Sequence, residues 1–345
     1  MIKVLVVDDS PTARTLFGHI LQSANNLQLV AMAKSGKEAI RMVGRHKPDV
    51  ILMDAMMPDM DGLEATRQIM EKSPTPIVII SSAANDREAN LAFHAIRAGA
   101  LTVLNKPNGP GHPDFDKQAR KIQRTLNSMA SVHVIHHRKN TPKPAQPLHD
   151  VDRNQAHPHI VGVVSSTGGP GVLSKMLENL PTDFPLPIVI VQHISTDFIH
   201  SLVKWLNSVS TIPVMQARQS QIIEPGKVYI APNKLHLRVT PARRFDLSAE
   251  PKKLFTPSGD VLLASIADVY KDRAIGIILT GMGNDGVEGL AQLYAQNAMT
   301  IAQDQTSAVV FGMPKAALER GIVRQTLPPL AIVNYLRSVA KPVTQ

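Results

Sequence analysis

Carboxylates, a hydroxyl and a lysine recur in the first third of this 345-residue chain, each at or just past the end of a short apolar run. Asp8 and Asp9 follow residues 4–7, Asp54 follows 50–53, Ser81 follows 77–80, and Lys106 comes shortly after 101–104. Clustered carboxylates repel one another and need a cation, and an all-oxygen ligand set suits Mg²⁺. Such a cation, with Lys106, would neutralise a phosphoryl group arriving on a nucleophilic Asp54, while Ser81 would bond a phosphoryl oxygen. Any one of these residues alone is usually a helix cap or a solvated turn. Four of the five strand ends carrying them form a far more specific pattern.

A second constellation lies in the other half. Ser166 stands in Ser165-Ser166-Thr167-Gly168-Gly169-Pro170, between an apolar run and a helix start that suits Pro170 in its first turn. This exposes a hydroxyl at a helix N-terminus, where backbone N–H groups favour negative charge. His193 follows the run 188–191, and Asp285 lies in the glycine-rich stretch 280–286 after a third run. A serine, a histidine and an aspartate at three strand ends can form a triad: Ser166 attacks, His193 carries the proton, and Asp285 orients the imidazole. The glycines at 281–286 would let backbone N–H groups approach an oxyanion. Yet Ser-Thr-Gly-Gly-Pro can also be a phosphate-binding helix cap. Val164 stands where G-x-S-x-G would need Gly, and the order Ser…His…Asp is not that of the α/β-hydrolases. The residues alone leave both readings open.

The elements around these residues repeat a strand–helix alternation. Five strands, each followed by a helical stretch, predict a doubly wound parallel sheet in the first part. Residues 131–159 break the pattern with four prolines and six histidines (133, 136, 137, 149, 157, 159). They are too polar and aperiodic to pack, so they read as a flexible linker. No regular ligand spacing supports a metal site there. Strands at 160–164, 188–191, 227–230 and 275–279 make the remainder a second α/β domain, again expected to be a doubly wound parallel sheet. The expected division is 1–130, linker 131–159, and 160–345.

Composition sets outer limits. The chain has no cysteine, which excludes disulfides, thiolate metal sites and a cysteine nucleophile. It contains no signal-peptide pattern and no run approaching about 18–20 apolar residues, so a cytoplasmic protein without membrane insertion is expected. The net charge of +9 would suit nucleic acid, but aromatic residues make up only 4% and the basic residues are scattered. No helix-turn-helix pattern supports a DNA-binding output either, so no nucleic-acid partner is expected. An acidic protein partner is the better use of the charge.

Residues 1–125 resemble the receiver domain of bacterial response regulators, a flavodoxin-like (βα)5 fold. The motifs are Asp8-Asp9, Asp54 with Met57-Pro58 and Asp61-Gly62, Ser81, Ala98-Gly99-Ala100 and Lys106-Pro107. The resemblance implies phosphorylation of Asp54 by a histidine kinase. It also implies Mg²⁺ held in the Asp8, Asp9 and Asp54 pocket and by the Met56 carbonyl; position 56 is often Asn or Glu in that family.

The second half is similar to the chemotaxis protein-glutamate methylesterase (CheB) family. The similarity rests on Ser166-Thr167-Gly168-Gly169-Pro170, Val191-Gln192-His193, Tyr229-Ile230-Ala231-Pro232, Leu279-Thr280-Gly281-Met282-Gly283-Asn284-Asp285-Gly286 and Phe311-Gly312-Met313-Pro314. It implies catalysis by Ser166, His193 and Asp285, oxyanion stabilisation by the Met282 N–H, and Thr167 as the active-site threonine. Val164 stands where that family usually has Gly, crowding the turn before Ser166. The implied reaction is hydrolysis of glutamyl methyl esters, and deamidation of glutamine, on methyl-accepting chemoreceptors. The resemblance also implies control by a receiver that covers the catalytic cleft until phosphorylated, and an esterase step that needs no cofactor. An inactive homologue acting as a phosphorylation-dependent binding module is the alternative.

Overall fold

The computed structural model describes residues 1–82, 86–132 and 158–340. The chain divides into two compact units, Met1–Thr141 and Pro142–Gln345. Most of the expected linker, with histidines 133, 136, 137, 149 and 157, lies outside the described residues.

The first unit runs β1 (Ile2–Val7), α1 (Pro11–Gln22), β2 (Leu27–Ala33), α2 (Gly36–His46), β3 (Val50–Asp54), α3 (Gly62–Lys72), β4 (Ile77–Ser81), α4 (Asp86–Arg97), β5 (Thr102–Asn105) and α5 (Phe115–Ala130). The strands form one parallel sheet in the order β2-β1-β3-β4-β5. Runs such as Val50-Ile51-Leu52-Met53 are apolar at every position because helices cover both faces and bury each residue. The strand order reverses between β1 and β3. That reversal opens a crevice at the carboxyl ends, where Asp8, Asp9 and Asp54 stand.

The second unit begins with β6 (Ile160–Ser165), α6 (Gly169–Glu178), β7 (Ile188–Gln192), α7 (Ile199–Val209), β8 (Val214–Gln216) and β9 (Val228–Ile230). An antiparallel pair follows, β10 (His236–Val239) with β11 (Phe245–Ser248). Then come α8 (Gly259–Tyr270), β12 (Ala274–Ile278), α9 (Val287–Ala295), β13 (Met299–Gln303), α10 (Met313–Glu319), β14 (Gln325–Leu327) and α11 (Pro329–Val339). Seven parallel strands line up as β14-β13-β12-β6-β7-β9-β8. From β6 the chain first winds toward β8 and later returns on the other side to β12. The crevice therefore falls at the carboxyl ends of β6 and β12.

Two glycines inside strands seat the helices over this sheet. A Cβ at Gly162 would come within 2.7 Å of Leu263 and Ile266 of α8. One at Gly276 would meet Leu290 and Leu293 of α9 at 2.7 and 2.6 Å. Among the described residues, no helix is long and apolar enough to cross a membrane.

Candidate functional site

In the first unit the predicted pocket residues converge. Asp8 and Asp54 are buried, Asp9 is exposed, and ligand oxygens of the three lie within 4.8 Å of one another. Lys106 Nζ reaches Asp54 Oδ2 at 2.8 Å and Asp8 Oδ2 at 3.1 Å. The Asp8 contact falls outside hydrogen-bond geometry, so Asp8 Oδ2 is a buried oxygen still lacking a hydrogen-bond partner. A deep all-oxygen set with an unsatisfied lone pair fits a small hard cation. Burial pushes the Asp54 carboxyl up to about 6, against the opposing pull of Lys106. Burial also works against the Lys106 charge, but its ion pairs prevail and hold it above its ordinary value.

The Asp61-Gly62 pair starts α3 against the backbone that follows β3. Asp61 caps α3 by accepting from Glu64 N at 2.9 Å, and Gly62 N donates to the Ala55 carbonyl at 3.0 Å. A Cβ at Gly62 would collide with the carbonyl of Asp54, so only glycine lets α3 start there. Met56 N lies 3.5 Å from Asp54 Oδ1. Ser81 sits at the end of β4 as predicted, but its hydroxyl donates to Glu88 Oε1 at 3.0 Å. Glu88 also accepts from Ser82 N at 2.6 Å and from the Ser82 hydroxyl at 2.5 Å.

In the second unit His193 Nε2 lies 2.8 Å from Asp285 Oδ2. Asp285 accepts further from the Ser258 hydroxyl at 2.7 Å, Gly259 N at 2.5 Å and, more weakly, Asp260 N at 3.4 Å. The carboxylate thus sits on the first turn of α8, where the helix dipole favours negative charge. Burial raises its pKa, but His193, Gly259 and Ser258 outweigh burial and hold it below the ordinary carboxylate value.

Ser166 is held close by. Its N–H donates to the Thr280 carbonyl at 3.0 Å, and His193 N donates to the Ser165 carbonyl at 2.9 Å. Buried Gln192 ties the ends of β6 and β7 together. Its Nε2 donates to the carbonyls of Ser166 and His193 at 2.8 and 2.9 Å, and its Oε1 accepts from Ser165 Oγ at 2.6 Å. A Cβ at Gly281 would sit 2.7 Å from Ser166 Cβ, so the glycine lets this loop close over the serine. That loop is pinned from behind: Gly281 N donates to Val310 O, and Met313 N donates to Gly281 O. This explains the Phe311-Gly312-Met313-Pro314 motif. Among the described residues, the N–H groups of Thr167, Gly168 and Met282 have no acceptor, and Ser166 Oγ has no hydrogen bond to His193.

Residues 161–336 match the CheB methylesterase family, and residues 4–112 match the response regulator receiver domain. The chain is 40% identical, over 99% of both chains, to a protein-glutamate methylesterase/protein-glutamine glutaminase 2 of Methanospirillum hungatei. It belongs to the CheB methylesterase family. A second relative of this CheB family, protein-glutamate methylesterase/protein-glutamine glutaminase 3 of Anaeromyxobacter dehalogenans, is 42% identical over 97% of this chain and 98% of its own. The crystal structure of the Thermotoga maritima CheB methylesterase catalytic domain aligns with a TM-score of 0.51 at 38% identity. It covers 53% of this chain and all of that one.

Two points of the sequence reading change. The Val164 side chain is buried against Gly259 and Gly286, the residues flanking Asp285 in space and in sequence. A Cβ at Gly286 would stand 3.1 Å from a Val164 methyl, and one at Gly259 would clash with it. The bulk of Val164 is therefore taken up beside Asp285. Sequence reasoning also passed over Ser258, Gly259, Asp260, His236 and Phe255. The Phe255 ring lies 4.9 Å from that of His193. Ser258-Gly259-Asp260 before an apolar run was a readable helix start, but nothing local tied it to Asp285.

Proposed function

We propose that this CheB-family chain is a phosphorylation-controlled protein-glutamate methylesterase and protein-glutamine glutaminase, with Ser166 as nucleophile. The observation carrying this reading is the Asp285 carboxylate, which accepts from α8 on one side and meets His193 Nε2 at 2.8 Å on the other. A histidine so oriented can take a proton at its remaining nitrogen, Nδ1.

Ser166 Oγ bonds to the carbonyl carbon of a glutamyl methyl ester on a methyl-accepting chemoreceptor, and its proton passes to His193. The oxyanion is met by the acceptor-free N–H of Met282, with Thr167 beside the nucleophile. The C–OCH₃ bond then breaks, and His193 returns the proton to the departing methanol. Water attacks the acyl-enzyme and gives a proton to His193, which passes it to the departing Ser166 Oγ, releasing glutamate and free Ser166. With glutamine the leaving group is ammonia.

Control is assigned to Asp54, phosphorylated by a histidine kinase. Asp8, Asp9, Asp54 and the Met56 carbonyl would hold Mg²⁺, which when bound offsets phosphoryl charge. Lys106 pairs with the phosphoryl group, and Ser81 donates to it after leaving Glu88. The boundaries assigned are 1–130, 131–159 and 160–345.

The test is methanol release from methyl-labelled receptors. Ser166→Ala should lose several orders of magnitude in rate while Asp54 still accepts phosphate. Substantial turnover by that variant would remove Ser166 from the mechanism.

A further inference from the structure

A second histidine, unused by the proposed reaction, is buried behind Asp285. His236 opens β10 and has no exposed surface. Its Nε2 lies 2.9 Å from the Pro251 carbonyl, which can only accept, so Nε2 carries the proton. Its Nδ1 lies 3.1 Å from Ser258 N, which can only donate, so Nδ1 is the bare acceptor. The two partners admit one neutral tautomer and no charged form. Burial agrees, holding this imidazole below its ordinary value.

Both partners are backbone groups at the two ends of the segment 251–258. At the far end Ser258 passes its own hydroxyl to Asp285 Oδ1 at 2.7 Å, and the next amide, Gly259 N, reaches Oδ2. Within the segment stands Phe255, whose ring lies against His193. One imidazole therefore closes the base of a loop that touches both the aspartate and the histidine of the site.

We propose that His236 is a positioning residue of the esterase. Its neutral, Nε2-protonated ring fixes Ser258 and the first turn of α8 so that they orient Asp285, and it holds Phe255 against His193. This rests on the reading of Ser166, His193 and Asp285 as a triad. Displacing a supporting group by about an ångström can cost on the order of 100-fold in rate. The loss falls on kcat because His236 touches no substrate.

The discriminating experiment uses full-length protein with a small phosphodonor and methyl-labelled receptors, comparing His236→Asn with His236→Gln. Asn places its carbonyl oxygen near the position of Nδ1 and can still accept from Ser258 N. Gln reaches toward Pro251 and gives up that contact. The expected result is a kcat for the Asn variant about fivefold or more above that of the Gln variant, with KM within about twofold of wild type for both. Ser258→Ala should match the Gln variant, and it reads the same link should either histidine variant fail to fold. Equal kcat for Asn and Gln, or a full-rate Ser258→Ala, overturns the proposal. Ser166→Ala run alongside separates the two ideas: if it stays active, the triad reading fails first.

Discussion

Ser81 and Glu88 are joined by a hydrogen bond of 3.0 Å, so the hydroxyl expected to greet a phosphoryl group on Asp54 is engaged elsewhere. The Glu88 carboxylate is held below its ordinary value: burial opposes its charge, but the Ser82 and Ser81 donors and Lys106 more than compensate. A hydrogen bond to a charged acceptor contributes about 1.5–3 kcal/mol, and Ser81 must give it up to move. Glu88→Gln keeps the shape and weakens the acceptor. Half-maximal phosphorylation of Asp54 should then need roughly a third or less of the wild-type concentration of a small phosphodonor, read on phosphate-affinity gels. An unchanged or higher requirement would show that this bond does not oppose the switch.

Val164→Gly should harm the protein even though glycine is the residue expected there in the family. It removes a fully buried side chain packed on Gly259 and Gly286 and frees the backbone of β6. The cost should be about 2–4 kcal/mol. Trp205 is the chain's one tryptophan and lies buried in the second unit, so its fluorescence during urea unfolding reports this directly. A more stable and faster variant would mean that Val164 strains the site.

Gly281→Ala tests the close approach of two backbones. The added methyl would meet Ser166 Cβ at 2.7 Å and must push loop and serine apart. Esterase kcat should fall about 100-fold with Asp54 phosphorylation unaffected.

Much of this was legible in advance. The apolar strands ending in Asp, Ser or Lys identified the first parallel sheet, and the runs at 160–164, 188–191, 227–230 and 275–279 marked the second unit as α/β, because periodicity and strand-end chemistry are local properties. The parts that were not legible depend on distant partners. β8 and β14 have only three residues each and carry too few positions for a pattern. The β10–β11 pair and β13 also went unread. His236 and Ser258 stand 22 residues apart, and neither has a neighbour in sequence that points to Asp285. Val164 was legible as a departure, but the side of the site it fills depends on Gly259 and Gly286, about 100 residues further on.

Acid should reveal how strongly Asp285 is held. A carboxyl lowered in the fold and ordinary in the unfolded chain adds stability above the ordinary value of 3.8, and that stability is lost as pH falls through the lower native value. At pH 7 Asp285→Asn should cost about 2–4 kcal/mol by Trp205 fluorescence, since buried donors lose their charged acceptor. The gap from wild type should narrow below pH 4. A gap that does not change with pH would place the stabilisation in packing rather than charge.

Phosphorylation of Asp54 is expected to control an esterase whose nucleophile is Ser166. The rate of methanol release from methyl-labelled receptors by the full-length chain, with and without phosphodonor, tests it most directly. Release should rise markedly with phosphodonor, fail to rise in Asp54→Asn, and fall by several orders of magnitude in Ser166→Ala. Equal release by the wild-type chain in the two conditions, or release that survives the loss of Ser166, would contradict it.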